Sequence, residues 1–194
     1  MDVLIWAAVA AMAVSSIGLV ISRDWRKHLV FLAVQYLGMF VLLREHWPLT
    51  MSAAKLITGW MTVAVIGMTQ SRLIMPEATD VSWPQGRIFR LLTSALVVLV
   101  VLTLAPRLST FLPGITDPEV IGGLLLVGMG LLHLGITVQP ARVIFGILTV
   151  LCGFEIVYAS VENSIVVAAM LSAITLGLAL LGAYLLTAET GDRA

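Results

Sequence analysis

Seven apolar runs, each close to twenty residues long, decide what this chain can fold into. They cover roughly 3–22, 28–44, 50–71, 87–105, 118–138, 141–160 and 164–187. A bilayer's hydrocarbon core is about 30 Å thick, which a helix of about twenty residues crosses. Inside it every backbone N–H and C=O must be bonded within the protein, and a helix does this segment by segment. Hydrophobic residues make up 60% of the 194 positions, charged residues 11%, and the mean hydropathy is +1.06. A soluble domain of this length cannot bury that much apolar surface. The fold expected is all-α: a polytopic integral membrane protein of about seven transmembrane helices.

The remaining composition narrows the class. A net charge of zero argues against a nucleic-acid partner. The single cysteine, Cys152, allows neither an internal disulfide nor a cysteine-based metal cluster. Asp2 stands where a secretory signal would be basic, and the first run is long enough to span, so it reads as a membrane helix.

All seven prolines (Pro48, Pro76, Pro84, Pro106, Pro113, Pro118, Pro140) fall near polar breaks. Connections are short except for 72–86, a polar link with Pro76, Glu77, Asp80, Trp83 and Pro84. Residues 1–75 form an N-terminal three-helix unit, 76–117 the link and a fourth helix, and 118–194 a second three-helix unit. Cytoplasmic loops carry the excess of Lys and Arg. With the N-terminus outside, Arg23, Arg26, Lys27, Arg72, Arg87, Arg90, Arg142 and Arg193 fall inside, against only Arg44 and Arg107 outside. The C-terminus is therefore expected in the cytoplasm. A shift of 115 residues lays Lys27 on Arg142, Gly38 on Gly153 and Phe40 on Glu155. Parallel duplication of a three-helix unit explains that pattern, and so does chance similarity of hydropathy.

Few residues in these spans can carry chemistry. Glu155 lies in Gly153-Phe154-Glu155-Ile156-Val157-Tyr158, seven residues before Glu162 and so about 10 Å below the outer end of its helix. An intramembrane carboxylate must be paired, face a wet cavity or hold its proton, and such groups mark ion pathways. A hydrogen bond that merely fixes packing is the plainer reading. Lys55 is the one base within a span, and it either snorkels outward or serves proton transfer. Small neighbours (Ser52, Ala53, Ala54, Gly59) favour close helix packing around it.

His133, near the inner end of the fifth span, is a third proton-transfer candidate or an inert buried histidine. In the same span Gly123 and Gly130, and Gly128 and Gly135, are seven apart and make smooth faces for helix contact. Gln35, Tyr36 and Thr149 read as packing hydrogen bonds. Arg23, Arg26, Lys27 and Arg142 read as topology signals, or as contacts with lipid headgroups or a partner. No phosphate loop, metal-ligand cluster, nucleophile–base pair or haem-binding histidine pair is present, so no cofactor and no covalent catalysis are expected.

The last three runs resemble the small K-type subunit of respiratory complex I and the C subunit of Mrp-type cation/proton antiporters. The matching residues are the basic turn at Arg142, then Gly153-Phe154-Glu155-Ile156, then a helix with Gly177-Leu178-Ala179. In that family a second glutamate precedes the glycine by four residues; here the position is Ala173. The first unit has Ala53-Ala54-Lys55 with Gly59 four residues on, a lysine where the family has glutamate. A chain with such a unit at its C-terminal end is similar to the E subunit of hydrogenase-4 and its relatives in group 4 membrane hydrogenases.

The resemblance implies a membrane-arm subunit of a proton- or sodium-translocating complex in the inner membrane of a prokaryote. Its partners would be antiporter-like membrane subunits and the lipid bilayer, with redox work done elsewhere. The alternatives are a structural subunit of such a complex and a stand-alone solute transporter.

Overall fold

The computed structural model describes residues 2–22, 24–72, 86–111, 114–137 and 139–191. Among them are seven α-helices: α1 (Asp2–Ile21), α2 (Trp25–Leu43), α3 (Leu49–Arg72), α4 (Arg87–Phe111), α5 (Asp117–Gly135), α6 (Pro140–Ala159) and α7 (Ile165–Gly191). Each is long and apolar enough to cross a membrane. Arg23, Arg193 and the link residues Pro76, Glu77, Asp80, Trp83 and Pro84 lie outside the described residues, as does Pro113.

Four boundaries differ from the sequence expectation by three residues or more, one of them the end of α7, which runs on to Gly191 rather than 187. Helix α2 starts at Trp25 rather than 28, because the Asp24 carboxylate accepts the Arg26 backbone N–H at 3.0 Å and caps the first turn. Helix α4 continues through Pro106 to Phe111 rather than stopping at 105. Proline removes one intrahelical hydrogen bond, at the Leu102 carbonyl, and disfavours the helical conformation of the residue before it. Ala105 is nonetheless held there, buried against Ile115 and Val120. Helix α5 ends at Gly135, short of 138.

The helices pack as two layers. Helices α1, α2 and α3 form one and α5, α6 and α7 the other, with α1 on α5, α2 on α6 and α3 on α7. Facing helices run the same way. Val9 and Met12 of α1 meet Gly122, while Val20 clusters with Leu125 and Met129 further along α5. Along α2 and α6 the pairs are His28 with Phe145, Gln35 with Thr149, and Met39 with Cys152. At the end of that seam the Trp47 indole donates to the Glu162 carbonyl at 3.1 Å, tying together two turns 115 residues apart. Helix α4 lies outside the layers, against α5 and an edge of α1.

Burial grades across the bundle. The spanning window of α6 is 56% buried and that of α5 50%, against 22% for α4, so α5 and α6 form the enclosed centre. Glycine makes their approach possible. A Cβ on Gly153 would lie 2.5 Å from the Gly123 carbonyl oxygen, and one on Gly130 would lie 2.8 Å from the Val150 nitrogen. Of the two glycine faces expected on α5, Gly123 and Gly130 meet α6. Gly128 meets Val97 of α4, and Gly135 touches nothing within 4 Å. Large apolar side chains of α3, α4 and α7, among them Ile57, Met61, Leu92, Leu99, Met170 and Tyr184, are exposed outward.

Candidate functional site

Lys55 and Glu155 meet in the seam between the layers, nearer the end tied by Trp47 and Glu162 than the basic end. The Lys55 Nζ donates to Glu155 Oε1 at 2.5 Å, with side-chain exposures of 3% and 1%. Lys55 therefore turns inward and does not snorkel. The two helices that supply the pair make this possible in different ways. Helix α3 buries one stripe (Ser52, Lys55, Gly59, Thr62, Ile66, Gln70), which is the face turned into the bundle. Helix α6 has the most buried spanning window, and Glu155 on it is almost fully buried. Two opposite charges here hold each other; either alone would be an uncompensated buried charge.

Only half of the carboxylate is engaged. Glu155 Oε2 is buried and meets no hydrogen-bond partner among the described residues, and the same holds for the Tyr36 hydroxyl. Tyr36 and Cys152 both lie within electrostatic reach of Glu155. The Tyr36 ring lies against Gly59, where any Cβ would collide with it. Toward the end of the bundle that carries Arg26, Lys27, Arg90 and Arg142 (the basic end), Gln35 Oε1 accepts from the Thr149 hydroxyl at 3.0 Å. Gln35 Nε2 is buried without a partner among the described residues. Buried polar atoms that protein does not satisfy are ordinarily satisfied by ordered water. The seam around Glu155 is thus polar in an otherwise apolar bundle.

The expected residues are not all in one place. His133 is buried, but it sits at the basic end, some three helical turns from Glu155. It is not alone there. Its ring centroid is 5.9 Å from that of His28, which also packs on Phe145 at 5.5 Å. His28 Nδ1 contacts the Asp24 carbonyl at 2.8 Å, which places a proton on that nitrogen. Arg142 lies within electrostatic reach of both imidazoles and Arg90 within reach of His133. Arg90 itself is buried and donates to the Val20 carbonyl at 3.3 Å. Arg26 is exposed and lies over the Trp25 ring at 5.4 Å.

At the opposite end His46 Nε2 lies 2.8 Å from Glu119 Oε1, with Glu119 almost fully buried. Glu119 Oε2 accepts the Thr116 backbone N–H at 2.8 Å at the start of α5. His28, His46 and Glu119 were not legible as site residues in the sequence. His28 follows Arg26-Lys27 and reads as part of a polar turn. Glu119 closes a Thr-x-x-Glu helix start, which explains a glutamate there without invoking a partner.

No family model matches this chain, no curated protein does, and no solved structure does. Among the described residues no group of three or more His, Cys, Asp or Glu side chains could hold a metal ion.

Proposed function

We propose that this chain is a membrane-arm subunit of a multisubunit proton- or sodium-translocating complex, of the complex I-like, group 4 hydrogenase-like or Mrp antiporter-like kind. In this reading it sits in a prokaryotic inner membrane, N-terminus outside, between larger antiporter-like subunits. The Lys55–Glu155 pair is its ion-transfer station. The observation that carries this is the half-engaged carboxylate: Oε1 is held by Lys55 while Oε2 faces the buried polar seam without a protein partner. A carboxylate so placed has two low-energy conditions, charged and paired or neutral and proton-bearing. A neighbouring subunit selects between them by shifting Lys55 or the local field. Supporting it are the resemblance of 118–194 to the K-type subunit and the lysine in the first unit where that family has a glutamate.

A fixed clamp between the layers is the competing reading, and the short Lys55–Glu155 contact favours it. One variant separates the two. Lys55→Met combined with Glu155→Gln removes both charges while retaining volume, so the bundle should still assemble. In vesicles holding the assembled complex, ion pumping should fall to background in this double variant, with the complex intact on a native gel. Pumping at the wild-type rate would leave only the clamp.

A further inference from the structure

The two three-helix layers are related by a shift, not by a rotation. Facing helices come in the same order and run the same way. Contacts across the seam join residues 113 to 115 apart: Met39 with Cys152, Gln35 with Thr149 and Trp47 with Glu162. A two-fold axis between the layers would instead set α1 against α7 and turn equivalent residues inward in both. Residues 115 apart do the opposite. The buried stripe of α3 (Lys55, Gly59, Thr62, Ile66) lands on Met170, Ile174, Gly177 and Leu181 of α7, and all four are exposed. Buried Met39 of α2 lands on exposed Phe154 of α6. In reverse, buried Phe145, Cys152 and Thr175 fall back on Val30, Leu37 and Trp60, again exposed.

A contact between units related by a shift is heterologous: each unit offers one face to its neighbour and keeps the opposite face for the next. The α5–α7 layer therefore turns outward the face that corresponds to the one by which α1–α3 receives it. Helix α4 rests on α5, with Val97 against Gly128, and leaves the α6–α7 part of that face open. This part suits a helix better than lipid. Ala173 and Gly177 lie exposed one turn apart on α7, and a Cβ on Gly177 would meet nothing within 4 Å. Against lipid a glycine costs helix stability and gains nothing. Against another helix it lets two backbones come close, as Gly123 and Gly153 do within the chain.

We propose that the outward face of α6 and α7, built on Phe154, Met170, Ile174, Gly177 and Leu181, docks a further three-helix layer. A neighbouring membrane subunit supplies that layer, packed parallel to α5–α7 and at the same depth. The inference rests on the reading of this chain as one subunit of a larger membrane assembly, and it names the face and the form of the contact. Met170 stands where the first layer has Lys55, so the partner carries an apolar residue where α6 carries Glu155. A carboxylate buried there would have no counter-charge. A second copy of this chain is the poorer occupant. Its matching face would be that of Val30, Leu37 and Trp60, and the contact would then repeat without closing.

The test uses membranes that hold the assembled complex. A photo-reactive benzoylphenylalanine is introduced at Phe154, Met170 or Leu181, one position at a time, and the adducts formed on illumination are identified by mass spectrometry. All three positions should join the same neighbouring subunit, on its membrane-spanning helices. Gly177→Leu should lower that yield at least about tenfold, the scale of overpacking one close helix contact. The purified Gly177→Leu chain should melt like wild type, because the position is open within the chain, which separates a docking defect from a folding defect. Where it melts lower, Ala173→Leu on the same face takes its place. Adducts to lipid alone would overturn the proposal, as would an unchanged yield in the leucine variant. Adducts to a second copy would overturn the choice of partner. A wild-type chain that migrates alone on a native gel would remove the assembly reading itself, and the docking face with it.

Discussion

Replacing Lys55 alone with methionine should destabilise the bundle by about 3–5 kcal/mol, while replacing Lys55 and Glu155 together should change stability little. The asymmetry follows from where the charges sit. Both side chains are almost fully buried, so removing one leaves the other as an uncompensated buried charge. A stranded carboxylate takes up a proton or drags the helix toward solvent, and both raise the free energy of the folded state. With Met at 55 and Gln at 155 there is no charge to strand, and the amide can still hydrogen-bond in the seam. Thermal unfolding of the purified chain in detergent, compared across wild type, the two single variants and the double, measures this directly. Two single losses that simply add in the double would mean the charges do not interact.

Gly153→Ala should be the most damaging small substitution at the centre of the bundle. The added methyl would meet the Gly123 carbonyl oxygen at 2.5 Å and the Val127 nitrogen at 2.8 Å. Both are backbone atoms, which cannot swing aside, so α5 and α6 must separate. Overpacking of this kind costs about 1–3 kcal/mol. Gly177→Ala is the contrasting change, since a Cβ there touches nothing within 4 Å. In the isolated chain it should be neutral or stabilise by about 0.5–1 kcal/mol, because glycine is a poor helix former. Melting curves of the two purified variants give the comparison, and equal losses in both would contradict the packing described.

The number of helices was legible because hydrocarbon thickness imposes run length, and each of the seven runs meets it independently of its neighbours. Boundaries were legible only where a cap or a steric rule acts alone. The Asp24 cap was available in the sequence but was outweighed by the charge of Arg26 and Lys27. The continuation past Pro106 depends on Ala105 finding Ile115 and Val120, which no local pattern encodes. Glu155 and Lys55 stood out separately because a charge inside an apolar run is rare. Their pairing did not, since 100 residues lie between them and the contact depends on how two layers stack. His133 looked solitary for the same reason: its neighbour His28 comes from the other layer.

The central pair also bears on how the chain is made. Synthesis runs from the N-terminus at about 5–20 residues per second, so the 100 residues between Lys55 and Glu155 take about 5–20 seconds. For that interval α3 carries a lysine with no counter-charge yet in existence. A lysine at the centre of a helix adds about 2.5–3.5 kcal/mol to its insertion free energy, which bounds from above the cost of Lys55, nearer the start of α3. Helix α3 must therefore wait, beside the insertion machinery or with its lysine drawn to the membrane surface, until α6 arrives. Its final position is fixed late, when the two layers close on each other, and a chain cut short before Glu155 holds that helix through its packing on α2 without the ion pair.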